Sequence, residues 1–164
     1  MKYSVIVLAA VVACSVVLPA QSQSPRTDPW VGTWKLNVAK SRFDPGPPPK
    51  SNSLNIEAVA GGGQKHTFDG VNAQGEKTHS ERTTTFDGAD VPVQATLPPS
   101  NSVTTNAFRR TGERSFEVTS KVDGKPTTTT RVVLSTDGKT LTNTQSGTNP
   151  RGQQVNGVVI YEKQ

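Results

Sequence analysis

The sequence predicts an all-β fold: a single antiparallel meander β-barrel of about ten strands. Three observations carry that reading. Residues 30–38 alternate strictly, with Trp30, Gly32, Trp34, Leu36 and Val38 on one face and Val31, Thr33, Lys35 and Asn37 on the other, the period of a strand with one buried side. The rest of the chain is a succession of short Thr- and Val-rich runs with turn signals between them. No helical period of useful length appears, and Pro45-Gly46-Pro47-Pro48-Pro49 forbids one where the chain leaves the first run.

The first 20 residues read as a secretory signal peptide. Lys2 gives the positive start, Val5 to Leu18 the apolar run, and Pro19-Ala20 leads into polar Gln21-Ser22-Gln23, which places cleavage near Ala20 or Ser22. The run is shorter than the ~20 residues that span a bilayer, so no transmembrane anchor is expected. Cys14 has two readings. It is either a small apolar residue of the signal, or, in Val11-Val12-Ala13-Cys14, a loose lipoprotein box; Val16-Val17-Leu18 runs on apolar past it and favours the first. With ordinary cleavage the mature chain has no cysteine, which excludes disulfides, thiolate nucleophiles and Cys-ligated metals. The expected location is outside the cytoplasm, periplasmic or secreted.

Residues 21–29 are then a flexible N-terminal segment, and 30–164 the β-barrel domain. A chain of this size is long enough for one domain with a sizeable core. The net charge of +5 is scattered, Arg109-Arg110 being the densest basic pair, so the basic stripe with interleaved aromatics that nucleic acid requires is missing and no nucleic-acid partner is expected. No Asn-x-Ser/Thr acceptor is present.

Both tryptophans lie in the first strand, on one side, with Gly32 between them where another chain segment can approach closely. Burying each removes roughly 150–250 Å² from water, which makes this strand the anchor of the core. Ala39 to Ser53 follows as an extended, polyproline-like crossing. It reads as a stiff strap closing one end of the fold with Phe43 beneath it, against a ligand lid or a proline-rich docking segment. Leu54, Ile56 and Ala58 alternate in the next strand, which ends at Gly61-Gly62-Gly63. His66 and Phe68 share a face of a strand expected to turn at Asp69-Gly70. Glu76 to Phe86 is a polar, Thr-rich strand expected to turn at Asp87-Gly88, with Asp87 and Asp90 as turn residues. Val91-Pro92-Val93 suits an edge, because proline cannot donate to a ladder. Leu97-Pro98-Pro99 breaks the chain. Val103–Arg110, Ser115–Val122, Thr127–Ser135, Lys139–Ser146 and Val155–Lys163 complete the set, with Asp123-Gly124 and Asp137-Gly138 as hairpin turns. Closure would remove the edges that so Thr-rich a sheet otherwise exposes.

The residues Trp30-Val31-Gly32-Thr33-Trp34-Lys35-Leu36 resemble the first strand of the calycin superfamily, the lipocalins and fatty-acid-binding proteins, whose Gly-x-Trp element matches Gly32 and Trp34. Val159-Ile160-Tyr161-Glu162-Lys163 is similar to the closing strand of the fatty-acid-binding branch, and Asp137 to Thr142 to a hairpin near it. The whole resembles small exported lipocalin-like bacterial proteins. The resemblance implies a barrel with an interior ligand site. It also marks departures. The proline run replaces the helix pair of fatty-acid-binding proteins, and their carboxylate-binding Arg, two residues before the final-strand Tyr, falls here on Val159, which cannot form bidentate charge-assisted bonds. Lipocalins lay a late-strand Arg across the Gly-x-Trp ring; Arg131 and Arg151 are the two candidates, and spacing does not choose between them.

For chemistry the sequence offers little. His79 and Glu81 share a strand face, and His66 across a hairpin would complete a zinc or base-and-orienter set; solvated surface is the simpler reading. No Gly-x-Ser-x-Gly or Ser-x-x-Lys frames a nucleophile, and Gly61 to Gly63 lacks the helix and lysine of a phosphate loop. No enzymatic activity, metal or cofactor is expected. Two functions remain. One is a barrel holding a small apolar or amphipathic ligand against Trp34, Leu54, Ile56, Phe68, Phe86, Phe108, Phe116 and Tyr161. The other is a structural or interaction protein of the cell envelope with its interior filled. A void of several hundred Å³ inside would favour the first. The oligomeric state is left open.

Overall fold

The computed structural model describes residues 28–96 and 102–164. The signal segment, Cys14 and the Leu97-Pro98-Pro99 break lie outside them. The described residues form one antiparallel sheet of eleven strands: β1 (Gly32–Leu36), β2 (Ser51–Val59), β3 (Gly63–Val71), β4 (Lys77–Thr84), β5 (Asp87–Pro92), β6 (Gln94–Ala95), β7 (Thr104–Gly112), β8 (Ser115–Val122), β9 (Lys125–Leu134), β10 (Thr140–Thr148) and β11 (Gln154–Lys163). Their spatial order is β5-β7-β8-β9-β10-β11-β1-β2-β3-β4-β6. The sheet is a meander rolled into a nearly closed barrel. The first and last strands meet, with Leu36 opposite Tyr161 and Trp34 opposite both Lys163 and Leu54. Across the lumen, His66 of β3 meets Phe108 of β7 edge-on with ring centroids 5.4 Å apart. Thr85 and Phe86 carry the chain straight from β4 into β5, leaving a seam between them with no ladder.

The alternation read in the anchor strand holds. Trp30, Trp34 and Leu36 are buried, and Thr33 and Lys35 stay partly or fully exposed. The regular strand is shorter than the pattern, however. It starts at Gly32, whose φ of +134° bends the chain, and stops at Leu36 before a 3-10 turn over Val38–Lys40. Trp30 therefore lies below the strand and plugs the barrel floor, 5.0 Å from Phe116 between ring centroids.

The proline-rich crossing is a strap. Arg42 exchanges backbone bonds with Val158, the Asn156 N–H donates to the Asp44 carbonyl, and Phe43 packs on the core. It is shorter than read, because β2 already begins at Ser51.

Two of the four Asp-Gly turns are as expected. Asp123 and Gly124 both have positive φ between β8 and β9, and Gly138 takes φ +70° before β10. The other two are corrections. Asp69 and Gly70 lie inside β3, paired with Ser53 and Asn52, and the hairpin turns later at Asn72–Gly75. Gly70 is there because a side chain would strike the Ser51 carbonyl of β2. The bend before β5 falls on Phe86, at φ +60°, so Asp87-Gly88 opens a strand. Asp87 still supplies turn chemistry, accepting from the Thr85 hydroxyl and the Ala89 N–H, but Asp90 is a strand residue ion-paired with Lys121. The strand beyond the expected ten is β6, two residues against Ser80 and Glu81 of β4. Pro92 ends the edge strand β5, where no donor is missed.

Candidate functional site

The inward faces of the strands enclose a cavity of about 480 Å³. Its position follows from side-chain size. The large residues of the chain gather towards the floor, where Trp30, Trp34, Ile56, Phe116 and Leu134 are buried together. Higher up, the inward positions carry Ser80, Thr104, Ser120 and Thr130, which are too small to meet across a barrel of this girth. Phe43 and Pro49 of the strap overhang the upper part.

Six of the eight residues expected at the site line the cavity: Leu54, Ile56, Phe68, Phe108, Phe116 and Tyr161. Trp34 and Phe86 do not. Trp34 is fully buried beneath it, its indole N–H donating to the Trp30 carbonyl at 2.9 Å. Phe86, at the left-handed bend, covers the guanidinium of Arg110, 3.8 Å from its ring centroid. Val159 faces the cavity, apolar and unable to hold a carboxylate.

The latch over the Gly-x-Trp ring is neither Arg131 nor Arg151. Lys163 lies over Trp34, and Arg110 over Trp30 at 5.1 Å from the ring centroid. Arg131 projects outward from β9, opposite Glu117, and Arg151 sits in the β10–β11 turn, bonded through its backbone to Asn149. The three-residue set His66, His79 and Glu81 does not assemble either. His66 stands opposite Arg82 and points inward at 3% exposure, whereas His79 and Glu81 point outward, bonded to Asp69 and Lys65. Among the described residues no three His, Cys, Asp or Glu side chains converge as a metal site.

Several polar groups shape the interior, and of these Asn52, Gln64, Asn106 and Asn143 were not singled out by the pattern. Tyr161 donates from its hydroxyl to Asn52 Oδ1 at 2.7 Å, and burial pushes its pKa up, so it is a neutral phenol. Asn106 donates to the Ser120 hydroxyl at 3.0 Å. The side-chain oxygen of Asn143 finds no partner. On the floor a relay runs from His66 to the amino-terminal segment. Gln64 Nε2 donates to Asp28 Oδ2 at 2.8 Å, which turns the amide oxygen of Gln64 to His66 Nε2 at 3.1 Å. A carboxylate can only accept, so the amide orientation follows, and His66 must carry its proton on Nε2. Burial, with Arg82 and Arg110 nearby, pushes the His66 pKa down to about 3 and keeps the ring neutral.

Arg82 is the cation of the cavity wall, level with His66 in the β3–β4 ladder. It stacks on Phe68, 4.3 Å from the ring centroid, and burial lowers its pKa to about 10, which leaves it charged at neutral pH. A parity signal for it existed: counting back in twos from Phe86 puts Thr84, Arg82, Ser80 and Thr78 on the inward face of β4. Three lining residues of that polar strand, Thr78, Ser80 and Arg82, therefore come from a single alternation.

No protein-family model matches the sequence, and no curated protein is found to be similar to it.

Proposed function

We propose that this chain is an exported, lipocalin-like binding protein that holds a small amphipathic molecule inside its barrel and performs no chemistry on it. The cavity carries the proposal: about 480 Å³, within the range of small-molecule sites, with an apolar lower wall and a few fixed polar groups above. Leu54, Ile56, Phe108, Val132 and Leu141 supply non-directional burial, and Asn52, Asn106 and Asn143 supply orientation. The leader at residues 1–20 supports a role outside the cytoplasm, where a carrier for a poorly soluble compound is useful. The alternative, an envelope protein with a filled barrel, has the cavity against it.

The test is native mass spectrometry of protein taken directly from its host, together with thermal melts against a panel of amphiphiles. A ligand at a hundred times its Kd stabilises the folded state by about 2.7 kcal/mol, a rise of roughly 5–10 °C for a domain of this size. Val118 lines the cavity, and Val118→Trp should fill it, abolishing the ligand-dependent rise without lowering the unliganded melt. A protein that carries nothing and shifts with no amphiphile is not a carrier.

A further inference from the structure

We infer that the molecule held in the cavity is a neutral glycoside, a sugar ring joined to an apolar tail, whose hydroxyls bond Asn143 on one wall and Arg82 on the other. This rests on the reading of the cavity as a ligand site and names the class of ligand.

Two buried polar groups on facing walls carry it. Oδ1 of Asn143 and Nε of Arg82 are shielded from solvent, and neither has a hydrogen-bond partner among the described residues. Both side chains line the cavity. Asn143 belongs to β10 and Arg82 to β4, and four strands separate β10 from β4 either way round the barrel. The two groups need opposite partners, since an amide oxygen accepts and a guanidinium only donates. Leaving either unmet away from water is costly.

Their neighbours on the lining are uncharged and polar. Gln145 is the next inward position of β10 and stands opposite Thr130 of β9, and Ser80 is the next inward position of β4. Asn106 of β7 spends its amide hydrogens on the Thr105 carbonyl and the Ser120 hydroxyl, which leaves its oxygen to accept. Amides and hydroxyls spread over four strands match a ligand with several groups that each donate and accept.

The pair selects among heads. A carboxylate has no hydrogen to give the oxygens of Asn143 and Asn106. An ammonium cannot accept from Arg82 and sets a second positive charge near it. A lone alcohol does both, but from a single point, so it serves one wall. A sugar carries hydroxyls round its whole rim and serves both. Leu54, Ile56, Phe108 and Leu141 call for an apolar tail besides, because a free sugar leaves them uncovered.

Calorimetric titration of the mature protein at neutral pH with octyl glucoside, octanol, octanoate and octylamine, all below their micelle concentrations, tests this, since the four share a tail and differ in the head. Octyl glucoside should bind about tenfold or more tighter than octanol, with octanoate and octylamine both weaker than the glucoside. Glucose alone should give no measurable heat. Asn143→Leu keeps the size of the side chain and should remove most of the preference for the glucoside while leaving octanol affinity in place; Thr130→Val, of the same shape as the native residue, should remove part of it. Equal affinity of the wild-type protein for octyl glucoside and octanol overturns the sugar head and leaves the cavity reading standing, and it needs no variant to fold. Octanoate binding tighter than the glucoside overturns it too, as does a preference undiminished in Asn143→Leu, and glucose binding as tightly as its octyl glycoside overturns the tail. Binding of none of the five, with no thermal shift, removes both readings together.

Discussion

The Nζ of Lys163 sits 4.9 Å from the centroid of the Trp34 ring and donates a 2.8 Å hydrogen bond to the carbonyl of Pro29. Lys163 is directly opposite Trp34 in the β1–β11 ladder. The closing strand thus clamps the opening one and also ties down the segment that carries the floor residue Trp30. Replacing it with Met keeps the aliphatic stem and loses both interactions. Lys163→Met should lower stability by about 1–2 kcal/mol, seen as a drop of roughly 3–6 °C in thermal melts. Lys125→Met, at an exposed position of β9, should leave the melt unchanged.

Trp34 is buried to 0% exposure at the centre of that arrangement. Trp34→Ala should cost about 3–5 kcal/mol, a large share of the ~5–15 kcal/mol that holds a domain together. Trp34→Phe keeps a ring but strips the Trp30 carbonyl of its donor, and should fall between the two. Urea titrations of the three proteins rank them.

Face alternation was the most legible feature of the chain, because a strand with one apolar side records its orientation in every second residue. Trp34, Leu54, Ile56, Phe108 and Phe116 were all assignable to the interior on that ground. The polar strand β4 was less so, since Thr, Ser and Arg on one face and Lys, His, Glu and Thr on the other give no apolar contrast, and its parity is legible only by counting back from Phe86. Arg82 and the separation of His66 from His79 were missed for that reason. The latch was illegible for another reason. Which late cation covers Trp34 depends on the register between β1 and β11, a relation between the two ends of the sequence that spacing does not encode. Asp-Gly misled at Gly70 because glycine answers two demands, positive φ and close approach of another backbone, and the sequence writes both with one letter.

Those two demands are separable by substitution. A Cβ at Gly70 would come within 2.5 Å of the Ser51 carbonyl and 2.8 Å of Asn52 Nδ2, whereas one at Gly88 meets nothing, the obstacle there being its φ of +85°. Ala should therefore be destabilising at both sites, by about 1–3 kcal/mol. Asn tolerates the left-handed region, so Gly88→Asn should recover much of the loss. Gly70→Asn should be worse than Gly70→Ala, because a larger group meets the same neighbours. Denaturant midpoints for the four variants give the comparison directly.

The floor relay predicts a dependence on acidity. His66 is buried, faces Arg82 and Arg110, and is bonded through Gln64 to Asp28; its pKa falls from an ordinary 6.5 to about 3 in the folded protein. The folded state therefore refuses a proton that the unfolded chain accepts below pH 6.5. Stability is unaffected by this group above that pH, and as the pH drops towards 3 it declines by about 1.4 kcal/mol per unit. Protonation would also turn Nδ1 into a second donor in an apolar setting between Phe108 and Phe116. His66→Gln removes the titration and keeps an N–H for the Gln64 oxygen. Its unfolding free energy should start somewhat lower at neutral pH, owing to the lost ring contacts, and then fall less steeply than that of the wild type between pH 6.5 and 3. Urea melts at closely spaced pH values measure both slopes. Parallel curves over that window would mean that His66 is protonated in the folded barrel and that the floor is wetter than its packing implies.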